Sequence, residues 1–371
     1  MPLAHGPQAR PAIYEIEPYV PGRSKLPGKG SVIKLSSNET PLGASPEAIA
    51  AFRDAAGSLD RYPDGAATAL REALGAFYGL NPEHLICGCG SDELFHLFAQ
   101  AYLGPDDEAI FTEHGFLVYK IVILAAGATP VVARETEFRA DVDAILSRVS
   151  PRTRMVFIAN PNNPTGTYIP FDEVRRLRRG LPENVILVLD GAYAEYANRN
   201  DYEAGIELVA TTPNTIMTRT FSKIYGLASA RVGWAYCPAE IIGVLNRIRG
   251  PFNVPGPSMA AAIAGLGDRA HIERAQVHNR EWLDWLTREI RALGLAVTDS
   301  AGNFVLVHFS GEPGRSAADA EAFLHERRII LRRLDSYGIP QGLRLTVGLE
   351  QENRAVVDAL RDFVKGAPGR D

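Results

Sequence analysis

Between Thr218 and Trp234 the chain runs TRTFSKIYGLASARVGW, and four residues of that segment are suited to act together. Lys223 supplies an amine, Thr220 and Ser222 supply hydroxyls just before it, and Arg231 follows eight residues on. Two hydroxyls and a guanidinium at this spacing can grip a phosphate while the amine reaches a carbonyl carbon and forms an imine with it. A Ser/Thr/Lys surface loop is the plain alternative, so the segment needs partners elsewhere in the chain.

Candidates for those partners occur upstream. Gly88-Cys89-Gly90-Ser91-Asp92-Glu93 follows an apolar run and opens a helical pattern, where free backbone N–H groups can meet an anion. Its sixth position is Glu93 rather than glycine, so it is not the dinucleotide fingerprint. In HGFLVY (114–119), Phe116 either stacks on a planar ligand or packs in the core. Asn160-Pro161-Asn162-Asn163-Pro164-Thr165-Gly166 ends a strand-like run, which is where open α/β sheets bind ligands. A proline turn explains its prolines and glycine, but not asparagine at three of its first four positions. Asp190 closes the apolar run VILVLD, and a carboxylate there is costly unless a cation faces it. Tyr193 lies three residues further on.

The elements that must position these residues alternate in type. Leu94, Leu97, Phe98 and Ala101 recur at helical spacing after Ser91. Strand-like runs are expected at Ala109–Thr112, Pro130–Ala133, Met155–Ala159, Val185–Asp190, Thr215–Thr220 and Val232–Tyr236. Such alternation predicts an α/β fold with a mostly parallel sheet covered by helices. After residue 260 a long helical stretch (271–293) leads to runs at Leu295–Thr298, Asn303–Phe309, Ile329–Arg332 and Leu343–Val347. A closing helix follows, with Val356, Val357, Leu360, Phe363 and Val364 on one face, so the second unit is a smaller α+β domain. The division expected is an N-terminal arm at 1–35, a large domain at 36–260 and a small one at 261–371, with Pro251, Pro255 and Pro257 marking the second boundary.

Composition excludes several function classes. A net charge of -5 over 371 residues argues against a nucleic-acid partner. No apolar stretch reaches membrane-spanning length, and the start MPLAHGPQARP lacks the apolar core of a secretion signal. Three cysteines, Cys87, Cys89 and Cys237, are too sparse for a zinc site; no metal is expected, and reduced thiols suit a cytoplasmic protein.

Taken in order, 88–93, 116, 163, 190–193 and 220–231 resemble the site of fold-type I aminotransferases that use pyridoxal phosphate. The resemblance implies that Gly90, Ser91, Asp92, Thr220, Ser222 and Arg231 hold the cofactor phosphate and that Phe116 stacks on its ring. It implies that Asn163 and Tyr193 share the phenolic oxygen and that Asp190 pairs with the ring nitrogen. Lys223 would hold the cofactor aldehyde and then carry the proton, which makes Lys223, Asp190 and Tyr193 the catalytic set. Finer motifs, PYVPGR (18–23), KLSSNETPLG (34–43), RYPDG (61–65) and GLRLTVGLEQENR (342–354), are similar to those of histidinol-phosphate aminotransferases. Those enzymes act on small molecules, transferring the amino group of glutamate to the ketone imidazole acetol phosphate, which gives histidinol phosphate and 2-oxoglutarate. By the same resemblance Arg332 and Arg344, with Tyr19 and Asn38, bind substrate, and Tyr62 crosses a homodimer interface to the partner's cofactor phosphate. A buried core tyrosine is the alternative for Tyr62. Phe252 departs from the pattern where some relatives have tyrosine, as does Gly191 where alanine is commoner. Aromatic amino-acid aminotransferases share nearly all these motifs and stand as the alternative family.

Overall fold

The computed structural model describes residues 6–366. Apolar runs bounded by turns form a seven-stranded sheet in the order Leu85–Gly88, Gly233–Tyr236, Thr215–Thr220, Ile186–Asp190, Thr153–Ala159, Glu108–Thr112, Thr129–Ala133. Neighbours are parallel except Gly233–Tyr236, which runs antiparallel to both strands beside it. Every residue of the interior strand Ile186–Asp190 is buried, as required where helices cover both faces of a parallel sheet. On one face Leu94, Phe95 and Phe98 of the helix Ser91–Tyr102 pack with Val122 and Leu245 of two neighbouring helices. Elsewhere Val174 and Leu177 of the helix Phe171–Gly180 cover Val156 and Leu187. Leu85–Gly88, legible in the sequence only as an apolar run, is an edge strand of this sheet.

A second sheet, all antiparallel, has the order Ala296–Thr298, Phe304–His308, Gly342–Thr346, Arg332–Arg333. Its core takes Leu286 and Ile290 from the helix Arg269–Ala292, and Val356, Val357, Leu360 and Phe363 from the helix Glu350–Gly366, with Val364 packed alongside.

One expected strand is corrected. Ile329–Arg332 is two strands with different partners: Ile329–Ile330 pairs parallel with Ile33–Lys34, while Arg332–Arg333 joins the second sheet. The N-terminal segment takes the first pair's hydrogen bonds (Ile33 N to Arg328 O, 2.9 Å; Leu35 N to Ile330 O, 2.9 Å), so the chain changes partner at Leu331. Before Ile33 the described segment is irregular apart from the 3-10 turn Pro11–Glu15. Arg328 and Arg332 bind the carbonyls of Gly30 and Val20 and so fasten that segment to the second sheet. Among the described residues no helix is long and apolar enough to cross a membrane.

Candidate active site

The strands ending at Ala159, Asp190 and Thr220 open onto a cavity of about 280 Å³, at the carboxyl edge where a parallel sheet gathers residues distant in sequence. Ser91, Asp92, Phe116, Asn163, Asp190, Tyr193, Thr220, Ser222, Lys223 and Arg231 line it from the large sheet's side. Arg332 and Arg344 line it from the second sheet, and Tyr19 and Asn38 from the N-terminal segment.

One corner is built for an anion. The helix Ser91–Tyr102 begins after Gly90 with no side-chain cap, so Ser91 does not close the turn and the first N–H groups stay available. Arg231, held in the left-handed region at φ 53, places Nη1 3.3 Å from Ser222 Oγ and Nη2 3.4 Å from Asp92 Oδ2. Thr220 Oγ1 accepts from the backbone N–H of Ser222 (3.0 Å), so both hydroxyls sit in one turn. Two glycines make this approach possible. A Cβ on Gly90 would collide with Arg231 Nη2, and one on Gly233 with the backbone nitrogen of Ser91. Gly90 itself does not line the cavity; its contribution is this clearance.

Asp190 is 5% exposed, and no lysine, arginine or histidine lies within ion-pair distance among the described residues. Burial pushes its carboxyl up to about 6, against hydrogen bonds from Tyr119 and Ala192 that favour the charged form. Oδ2 accepts from Tyr119 Oη (2.6 Å), and Oδ1 from the N–H of Ala192 (3.1 Å) and Thr218 Oγ1 (3.3 Å). Tyr119 is a site residue the sequence reading missed. Its signal was its place one helical turn after Phe116, with which its ring makes an edge contact at 5.9 Å.

Lys223 Nζ donates to the carbonyl of Ser37 (3.4 Å) and stands 5.6 Å from the centre of the Tyr193 ring. Tyr193 Oη accepts from Asn38 Nδ2 (2.8 Å), which leaves its own O–H as a donor. Asn38, at φ 56, is locked to the second sheet by Thr346: its N–H donates to Thr346 Oγ1, which donates to Asn38 Oδ1, each at 3.0 Å. Asn163 Oδ1 accepts from Arg344 Nη1, so its NH2 end remains the donor.

Arg344 is buried, its Nη2 donates to Ser36 O (2.8 Å), and its Nε has no hydrogen-bond partner. Arg332 lies directly opposite it on the neighbouring strand. Neither pairs with a carboxylate among the described residues, whereas the adjacent Arg333 pairs with Asp335. Like charges facing across strands, one of them desolvated, are costly unless an anion lies between them. Tyr337, also missed in the sequence, lines the cavity here, and burial pushes its hydroxyl above the ordinary tyrosine range.

Tyr62 is not brought to this cavity. It is 83% exposed and stacks on Phe252 at 4.6 Å, which removes the buried-core alternative. The remaining wall fits the group the resemblance implies, on three independent counts. It offers an anion corner cleared by glycines, a buried carboxylate without a cation, and an amine lining the same cavity.

Fold and site define a transferase that handles amines at the carboxyl edge of a mostly parallel sheet. Residues 30–360 match the model of the aminotransferase class I and II family, and the chain belongs to that family. It is 57% identical over 360 residues to the histidinol-phosphate aminotransferase of Rhodopseudomonas palustris (strain BisB18), covering 96% of this chain and 98% of that one. It is 56% identical over 359 residues to the enzyme of the same name from Nitrobacter winogradskyi, with the same coverage. The crystal structure of histidinol-phosphate aminotransferase from Sinorhizobium meliloti in complex with pyridoxal 5'-phosphate superposes with a TM-score of 0.85 at 26% identity, covering 98% of this chain and 99% of that one.

Proposed function

We propose that this chain is a histidinol-phosphate aminotransferase that uses pyridoxal phosphate, converting imidazole acetol phosphate and glutamate to histidinol phosphate and 2-oxoglutarate. The observation that carries the reading is the Arg332–Arg344 pair, two opposed guanidiniums without carboxylates on the wall facing Lys223. An enzyme with two unlike substrates needs one place that accepts either a phosphate or a carboxylate, and paired guanidiniums do so. Relatives more than half identical over nearly the whole chain support the same substrate.

When bound, pyridoxal phosphate supplies an aldehyde and an electron-withdrawing ring. Ser91, Asp92, Thr220, Ser222 and Arg231, with the turn at Gly90, would hold its phosphate, and Phe116 would cover a face of the ring. Asp190 would keep the ring nitrogen protonated, its ionisation favoured by Tyr119 and by the cation it then faces. Asn163 and Tyr193 would donate to the ring oxygen, Tyr193 oriented by Asn38. Lys223 would anchor the aldehyde and, once displaced, move the proton at the substrate Cα.

This reading includes a homodimer in which the exposed Tyr62 enters the partner's site, a cytoplasmic location, and the arm, large and small units at 1–35, 36–260 and 261–371. Its test is a single half-reaction: histidinol phosphate added to the purified holoenzyme should convert the cofactor's absorbance to that of the aminated form. A fast change with phenylalanine and none with histidinol phosphate would transfer the assignment to an aromatic amino-acid enzyme.

A further inference from the structure

The short hairpin that pairs Glu135–Thr136 with Arg139–Ala140 turns through Glu137 at φ 51 and Phe138 at φ 62. A two-residue turn of that hand favours Asn-Gly or Gly-Gly, because side chains crowd the backbone at positive φ. Neither residue here is of that kind, so the turn is strained and the rest of the fold must hold it. Glu137 is exposed and holds nothing; Phe138 is half-buried and makes the contacts.

The Phe138 side chain packs on Leu306, Leu334, Tyr337 and Ile339 of the second-sheet unit, its ring centred 5.0 Å from His308 and 5.4 Å from His114. Leu306 is the residue directly opposite Arg344 in the strand register. The backbone carbonyl oxygen of Phe138 accepts from Thr167 Oγ1 at 2.6 Å. Since Thr167 spends its proton there, Thr165 Oγ1 must donate to Thr167 Oγ1 (2.8 Å) and accept from Asn162 Nδ2 (2.9 Å). Asn162, Thr165 and Thr167 are all buried, and the chain ends beside Asn163, the residue that accepts from Arg344. One strained residue thus holds both sides of the Asn163–Arg344 contact.

We infer that Phe138 is a positioning residue that sets the distance between the cofactor-side Asn163 and the substrate-side Arg344, and with it the fit of the substrate anion. This rests on the aminotransferase reading of the cavity. Phe138→Ala should raise the KM for histidinol phosphate about tenfold, with kcat and cofactor affinity changed less than about threefold, since a small displacement of a binding group acts on fit before chemistry. Phe138→Leu should restore most of the loss. Thr167→Val, which cuts the hydrogen-bond chain but leaves the ring seated, should raise KM in the same way and carries the test if Phe138→Ala does not fold. Glu137→Gly should relieve strain, raising the unfolding temperature with KM unchanged.

A KM within about twofold of the parent in both Phe138→Ala and Thr167→Val would overturn the inference. So would equal losses in KM, kcat and cofactor affinity, which describe general loosening. The parent measured alongside separates the two claims. If the parent does not convert histidinol phosphate, the substrate reading fails and the same ratios are read with glutamate.

Discussion

Asp190→Asn in the cofactor-free protein isolates the electrostatic cost of the site. Burial holds the carboxyl near 6, against an ordinary 3.8, so the folded chain binds that proton more tightly than the unfolded chain does. The stability this provides is complete below pH 4 and is lost as the pH rises through about 6, where the folded state must bear a buried anion. A difference of that size corresponds to about 3 kcal/mol at 1.36 kcal/mol per pKa unit. Asparagine keeps the shape and the contacts: Oδ1 can still accept from Ala192 and Thr218, and the new NH2 can donate to Tyr119 Oη. Urea unfolding of both proteins without cofactor, at pH 4, 6 and 8, should show the variant gaining on the parent as pH rises, by up to about 3 kcal/mol at pH 8. At pH 4 the advantage should vanish. With pyridoxal phosphate added the order should reverse at pH 8, because only the parent presents an anion to the protonated ring. A variant less stable than the parent at pH 8 without cofactor, or a difference that does not change with pH, would refute the account of Asp190 as a charge waiting for its cation.

Two further outcomes follow from the same geometry. Arg344→Ala should weaken both substrates by about 1.5–3 kcal/mol, seen as raised KM values for glutamate and for histidinol phosphate, because a desolvated charged hydrogen bond is lost; an effect on one substrate alone would show that the anion place is not shared. Lys223→Ala and Tyr62→Ala should each be inactive or weak alone. If Tyr62 serves the partner's site, refolding them together should recover about a quarter of the parent's activity, half of the dimers then being mixed with one intact site each. No recovery on mixing would remove Tyr62 from the site.

Much of the site was legible because its chemistry is conspicuous against its local pattern. A carboxylate ending VILVLD, an arginine amid Leu343, Leu345 and Val347, and a lysine between hydroxyls and an arginine each break the expectation for a buried strand end or turn. The strands carrying them were legible too, since alternation and apolar runs are local properties of the chain. Partners were not. Tyr119 lies 71 positions from Asp190 and Asn38 lies 155 from Tyr193, and neither separation leaves a trace in either segment. The break at Leu331 escaped for the same reason, because which strand pairs with Ile329–Ile330 is decided by the N-terminal segment.

The sequence alone therefore determined the kinds of groups available and the elements that carry them, through side-chain chemistry and backbone periodicity. Only the tertiary structure decided which groups face one another: that Arg332 opposes Arg344, that Tyr119 reaches Asp190, and that Phe138 packs against the second-sheet unit. The first depends on strand register, where a shift of one residue would send Arg332 to the opposite face, and the other two on packing between distant segments.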